Sequence, residues 1–193
     1  MKTYFSVALA AILIAGSASA QKVNIGIKGG LNVYNIKNES NGYYDPKTGF
    51  NLGLLGHIHL AKQWAFQPEL VYSGQGAKYT NNGVETKINL DYINIPLLVQ
   101  YMFDNGFRLQ AGPQVGILAG ARSTTGNESV KIKDNLQSGD FAFSLGGGYV
   151  NPATGFGIDA RYNIGLSNIN ENSATKSTNR GFQVGLFYLF NHQ

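Results

Sequence analysis

Four charged residues within alternating, mainly apolar segments are the first candidates for chemistry: Glu69, Arg108, Asp159 and Arg161. Glu69 and Asp159 are the kind of carboxylate pair that general acid–base catalysis uses. Two guanidinium groups accompany them, however, and an unpaired buried charge is costly, so opposite charges in a confined space pair. We therefore predict that these four side chains form a structural polar network and that they are not catalytic.

Two histidines raise the question of a metal site. His57 and His59 are two positions apart, which places both on one face of a strand. No third ligand of the Cys or His type accompanies them, because the chain has no cysteine and its remaining histidine, His192, is far away in the sequence. The sequence also lacks a GxSxG elbow and a Gly-rich phosphate loop that opens a helix. We predict a hydrogen-bonded histidine pair, no metal, no cofactor and no enzymatic activity.

The element that carries Asp159 and Arg161 is a strand. In GFGIDARYNIGL, apolar residues occupy every second position from Phe156 to Leu166, with polar residues or glycine between them. Eight segments of this type follow one another: KVNIGIKGGLNV (22–33), FNLGLLGHIHL (50–60), WAFQPELVYSG (64–74), YINIPLLVQY (92–101), FRLQAGPQVGI (107–117), FAFSLGGGYV (141–150), GFGIDARYNIGL (155–166) and FQVGLFYLF (182–190). The polar face that holds the four charges also holds Lys28, Asn94, Gln100, Gln110, Gln114 and Asn163.

Composition and the first residues indicate export. Of the 193 residues only 13% are charged, against about a quarter in a typical soluble domain, so much of the surface is expected not to face water. The net charge of +4 is spread along the chain, which argues against a nucleic-acid partner. Residues 1–20 combine Lys2, a short apolar run and a small-residue cleavage site, as in a secretory signal peptide. Residues 21–193 are then the mature chain, a single domain.

The connections suggest how the strands are arranged. They are predicted to be short after the second, fourth and sixth strands, and long and polar after the first, third, fifth and seventh. This is the layout of an all-β, eight-stranded antiparallel up-and-down transmembrane β-barrel. A soluble, lipocalin-like barrel has the same periodicity. The uncharged apolar face, the recurrent aromatic residues on it and the many glycines on the opposite face favour the membrane barrel. The charges then face the lumen, where Glu69 and Arg161 are expected at similar heights.

The strings GIKGGLNV, FQPELVYSGQG, YINIPLLVQY, LQAGPQVGIL and FAFSLGGGYV resemble the bacterial outer-membrane β-barrel domain family of small porin family proteins. The resemblance implies location in the outer membrane, contact with its lipid, insertion by the barrel assembly machinery and periplasmic termini. It implies no activity, because the family is defined by fold. Such barrels commonly end on an aromatic residue, whereas Asn191-His192-Gln193 follow Phe190 here.

The function predicted from these features is that of a small integral outer-membrane protein. Its lumen is expected to be polar and plugged, and its extracellular loops to carry any recognition, of a ligand that the sequence does not identify. A narrow pore for water or small ions is the alternative. A lipid-modifying outer-membrane enzyme is a further alternative, which would require a Ser, His and carboxylate cluster at the outer rim.

Overall fold

The computed structural model of the chain describes residues 23–39, 44–171 and 176–190. The predicted signal peptide and the Asn191-His192-Gln193 end lie outside these residues. Within them the chain forms these strands: β1 Val23–Asn38, β2 Asp45–Ala61, β3 Trp64–Asn81, β4 Val84–Met102, β5 Phe107–Thr125, β6 Glu128–Lys131, β7 Gly139–Val150, β8 Phe156–Gly165 and β9 Ser177–Leu189. A single turn of 3₁₀-helix spans Lys133–Asn135. No helix among the described residues is long and apolar enough to cross a membrane.

Eight of these strands close into a ring. Each pairs antiparallel with its neighbour along the chain, and β1 pairs with β9 to complete the circle. The short β6 pairs only with the end of β5 and extends one hairpin. The predicted eight-stranded antiparallel up-and-down barrel is therefore confirmed.

The two ends of the barrel differ. At one end, here called the turn end, the connections β2–β3, β4–β5 and β7–β8 contain at most five residues. The opposite end, here called the loop end, carries the other connections. Closure leaves no free strand edge in the ring. The ladder is interrupted locally by register shifts in β2, between Pro46 and Asn51 and between His59 and Ala61, and in β4 at Asp91 and Tyr92.

The connection after the third strand is not the long polar loop that the sequence predicts. β3 and β4 continue as a paired ladder from Gln75 opposite Leu90 to Asn81 opposite Val84. Only Asn82 and Gly83 remain as the turn, with φ of 49° and 78°. Positive φ at both central residues is the signature of the two-residue turn that matches strand twist, and Asn-Gly is its preferred sequence. The prediction was wrong because polar side chains do not prevent a strand whose backbone is paired.

Alternation along each strand separates two surfaces. The apolar rows point outward, and side chains such as Ile25, Leu52 and Leu145 remain 61%, 63% and 58% exposed. The intervening row points inward, and Lys28 and Arg161 on it are only 2% and 1% exposed. The charged residues are thus enclosed by the barrel wall.

Candidate functional site: the barrel interior

A compact group of four charged side chains lies at mid-height in the interior. Arg161 on β8 donates two hydrogen bonds to Glu69 on β3, each with an N–O distance of 2.9 Å, and a third to Asp159. Lys28 on β1 donates to Asp159 at 2.8 Å and to Glu69 at 3.2 Å. Two cations therefore face two carboxylates, and each carboxylate contacts both cations.

The local sequence makes room for this group. Asp159 and Arg161 are two positions apart on β8, so both point inward. The residues opposite them on β7 are Gly148 and Gly146, and Gly185 lies opposite Asp159 on β9. Because these neighbours have no side chains, the large charged groups can extend across the strands. Glu69 and Arg161, which the strand positions predict at similar heights, are in direct contact.

Arg108 lies apart from this group. Its guanidinium carbon is 4.2 Å from the centroid of the Phe187 ring, a cation–π arrangement, and its Nη1 donates to Gln100 at 3.5 Å. Among the described residues, no carboxylate oxygen lies within 4.0 Å of the Arg108 guanidinium nitrogens. The structure brings Glu69, Asp159 and Arg161 together, and the second cation beside them is Lys28. Strand parity places Lys28 on the inward face, but parity does not give its height in the barrel.

A neutral polar layer follows toward the loop end. Asn163 accepts a hydrogen bond from Ser144 at 2.6 Å and donates one to the Tyr34 hydroxyl at 2.7 Å. Two positions before Tyr34 on β1, Asn32 donates to the Ser73 hydroxyl on β3 at 2.9 Å. These side chains fill the section above the charges with amide and hydroxyl groups that bind one another.

Apolar clusters lie above and below the polar layers. At the loop end the buried members are Ile36, Ala77, Leu90, Tyr92, Leu118, Ala121 and Ile169. Ile169 belongs to the β8–β9 connection, where Leu136 and Asn170 form an isolated bridge between two loop-end connections. At the turn end Leu55, Phe187 and Leu189 form a second cluster. The interior is thus polar at mid-height and apolar toward the loop end, whereas the turn end holds this small apolar cluster together with buried polar side chains such as Gln100, Arg108 and Gln110. The sequence prediction of a polar lumen does not include the apolar clusters.

The histidine pair lies near the turn end. The rings of His57 and His59 are edge to face, with centroids 4.6 Å apart, and His57 is buried. Within the described ranges, no group of three or more His, Cys, Asp or Glu side chains could hold a metal ion. The pair therefore offers no observed third ligand for metal chemistry.

The outer surface shows which medium surrounds the barrel. Apolar side chains remain exposed around it, with Leu186 at 66% and Phe156 at 62%. Aromatic side chains contact one another near the turn end in three groups: Trp64, Tyr101 and Phe103; Phe107 and Tyr149; Phe156, Tyr188 and Phe190. An apolar belt edged by aromatic residues is the surface that a barrel presents to lipid.

Comparison with known proteins agrees with this surface. The family model described as outer membrane protein beta-barrel domain matches residues 18–171. The chain belongs to this family. It is accordingly an outer-membrane protein, and its apolar belt contacts lipid. The match ends before β9, the strand whose pairing with β1 closes the ring.

Solved structures share the fold at low sequence identity. Ail, the attachment invasion locus protein of Yersinia pestis, aligns with a TM-score of 0.56 and 17% identity over 88% of this chain and 99% of Ail. Neisserial surface protein A (NspA) aligns with a TM-score of 0.55 and 12% identity, with the same coverage of the two chains. Ail in complex with the heparin analogue sucrose octasulfate gives 0.54 and 16%, covering 88% of this chain and 99% of that one. No curated protein matches the sequence. At these identities the similarity establishes the fold alone.

Proposed function

We propose that this protein is a closed outer-membrane scaffold that presents extracellular hairpins for recognition and neither conducts ions nor catalyses a reaction. The observation that carries the proposal is the layered interior. Lys28, Glu69, Asp159 and Arg161 bind one another at mid-height, with an apolar cluster toward each end. An ion that entered from the loop end would have to cross the apolar cluster there and then separate the paired charges.

The hairpins at the loop end support a role in recognition. β3, β4 and β5 contain 18, 19 and 19 residues, whereas about 9–11 residues cross the hydrocarbon layer of a bilayer. The remainder of each strand therefore projects beyond the membrane. Outer-membrane barrels have short periplasmic turns and longer extracellular loops, so we infer that the loop end is extracellular. Ail has been crystallised with a heparin analogue, which shows that a barrel of this fold can bind a ligand.

Export and insertion complete the proposal. Residues 1–20 are removed on export, and residues 21–193 form one barrel domain that the assembly machinery inserts. Mass measurement of the protein isolated from outer membranes tests this step. A mature chain that begins at Gln21 is expected, and a chain that retains residues 1–20 would contradict it.

Conductance in planar bilayers tests the closed interior. The unmodified protein should show no regular single-channel steps. A variant with Glu69→Ala and Arg161→Ala, which removes two charged side chains that contact each other at mid-height, serves as the control that the assay detects a leak. Regular steps from the unmodified barrel would refute the proposal.

One observation favours the narrow water pore as a second candidate. Near the turn end, several buried donors lack a protein partner among the described residues: Arg108 Nε and Nη2, Gln110 Nε2 and Asn24 Nδ2. Such groups are commonly satisfied by internal water. Osmotic swelling of proteoliposomes separates the candidates. A rate equal to that of protein-free liposomes supports the scaffold, and a faster rate supports a water pore.

The structure gives less support to a lipid-modifying enzyme. At the loop end the Ser167 hydroxyl donates a hydrogen bond of 2.6 Å to Asp140. The two described histidines, His57 and His59, lie on β2 near the turn end. A hydrolytic Ser, His and carboxylate arrangement is therefore not brought together within the described part of the chain.

A further inference from the structure

Three basic side chains meet on the outer surface of the barrel, at the loop end of β1 and β9. Lys37 on β1 lies directly opposite Thr178 on β9. Lys176 and Arg180 are the residues two positions before and after Thr178, so they share its face. In an antiparallel pair such diagonal neighbours are about 7–8 Å apart. Lys37 is therefore flanked on its own face by two further cations.

The parity of these strands shows that the face is the outward one. Ser177 and Asn179, which alternate with Lys176, Thr178 and Arg180, are 3% exposed and point into the barrel. Two positions beyond Arg180 on the same face lies Phe182, 47% exposed, where the apolar belt begins. The basic group thus lies at the boundary between the extracellular hairpins and the lipid-facing surface.

The basic side chains line a cleft of about 240 Å³ together with Glu39, Ile164, Gly165 and Thr178. Glu39 is the one carboxylate in this lining, and its backbone N–H donates to the Lys176 carbonyl at 3.1 Å. Among the described residues, neither Glu39 nor any other carboxylate forms an ion pair with Lys37, Lys176 or Arg180. Three cations against one carboxylate leave an excess of positive charge in the cleft.

The position of the cleft at the edge of the apolar belt indicates which class of ligand fits it. Ile164, paired with Arg180 across β8 and β9, is 42% exposed and extends the apolar surface below the cleft. A lipid with anionic phosphate groups fits this arrangement, because its acyl chains would contact the apolar belt while its phosphate groups contact the three cations. Long basic side chains at such a boundary extend toward the headgroups while their methylene stems stay on apolar surface. We propose that Lys37, Lys176 and Arg180 bind the phosphate groups of an anionic lipid in the outer leaflet.

Lipid retention tests the proposal. The full barrel is reconstituted in phosphatidylcholine nanodiscs that contain bis-phosphorylated lipid A, or lipid A from which both phosphates have been removed. The lipid that remains bound after extraction into detergent is then quantified by mass spectrometry. The unmodified protein should retain the phosphorylated form selectively.

The key variant is Lys37→Gln, Lys176→Gln, Arg180→Gln. A basic residue near an anionic surface contributes about fivefold in affinity, so the triple change should weaken retention on the order of a hundredfold. The matched control is Lys78→Gln, Lys87→Gln, Lys131→Gln, which removes the same charge from the loop end outside the cleft. It should retain lipid as the unmodified protein does.

Several results would overturn the proposal. They are undiminished retention by the cleft variant, equal retention of the dephosphorylated lipid, and an equal loss in the control. Displacement of the lipid by inorganic phosphate alone would assign the cleft to a soluble anion.

Heat-dependent gel mobility verifies that each variant is folded. If the triple change does not fold, Lys37→Gln with Lys176→Gln should still lose about 25-fold. The conductance assay is independent of these results, so either proposal can fail alone.

Discussion

Replacing Arg161 by methionine removes one charge from the interior while keeping much of its volume. The guanidinium makes three hydrogen bonds to Glu69 and Asp159 and is 1% exposed. After the change, Lys28 alone faces two carboxylates, and the interior group carries a net charge of −1. Breaking a buried pair by removing one partner costs about 3–5 kcal/mol. We expect the free energy of unfolding to fall by this amount.

Denaturant unfolding in lipid vesicles measures the change. Trp64 is the only tryptophan of the chain and lies on the outward face of β3, 46% exposed, so its fluorescence reports transfer from lipid to water. Arg122→Met provides the matched control. Arg122 is exposed on β5 near the loop end, and its replacement should change the free energy of unfolding by less than about 0.5 kcal/mol.

A charge-balanced variant distinguishes charge from packing. Glu69→Gln combined with Arg161→Met leaves Lys28 paired with Asp159 at 2.8 Å. The cost of this double change should be smaller than the sum of the two single costs by about 0.5–3 kcal/mol. A loss below about 1 kcal/mol for Arg161→Met, or simple additivity in the double variant, would refute the assignment of a coupled ion group.

Three further predictions address the wall and the hairpins. Leu145→Arg should lower the free energy of unfolding by about 2–4 kcal/mol, because it places a cation on the lipid-facing surface; a neutral result would contradict the orientation. Gly157→Val should cost about 1–3 kcal/mol through overpacking, because any Cβ at this position meets the Phe187 ring and the Tyr149 backbone carbonyl oxygen; unchanged unfolding would contradict the close packing at this position. In the β3–β4 hairpin at the loop end, a hydrogen bond from Lys87 lowers the pKa of Glu85. Lys87→Gln should raise that pKa in an NMR titration, and an unchanged value would exclude this cause.

Controls and the sign of the pH effect follow from the same contacts. Gly29→Val is the matched control for the Gly157 change, because a Cβ at Gly29 makes only ordinary van der Waals contacts. It should leave the free energy of unfolding nearly unchanged.

For Glu85 the folded-state pKa lies below the unfolded one. Its stabilising contribution is therefore present above the unfolded value and is lost as pH falls through the folded one.

The alternation of residues was sufficient to predict the wall of the barrel. In segments such as that around Asp159 and Arg161, the polar and apolar faces are distinct, and the structure has both faces where the pattern places them. The extent of β3 and β4 was not predictable from hydrophobicity, because beyond the belt the outward residues are polar and the inward ones mix apolar residues such as Ala77 and Leu90 with polar residues such as Thr86. The Asn82-Gly83 pair was a local signal for that hairpin.

The sequence predicted which side chains point into the barrel, but not at which height along the barrel axis each of them lies. Lys28 and Arg108 both have inward parity, but only the stagger of the strands decides which cation meets the carboxylates. The apolar clusters were hidden for a related reason. Leu55 and Phe187 point inward, but each directly follows a leucine that points outward, Leu54 and Leu186. In such a run of consecutive apolar residues, the sequence does not show which residue is inside the barrel.

The ion group at mid-height has a consequence for the order of assembly. Its contacts join residues that are 41, 92 and 131 positions apart in the chain. The contact between Lys28 and Asp159 links β1 to β8, which become neighbours of the same strand only when β9 pairs with β1. We therefore expect the contact between Lys28 and Asp159 to form late, after most of the wall exists. Interactions that are absent from the folding transition state act mainly on the unfolding rate. This ion pair should therefore lower the rate at which the paired first and last strands, β1 and β9, separate during unfolding.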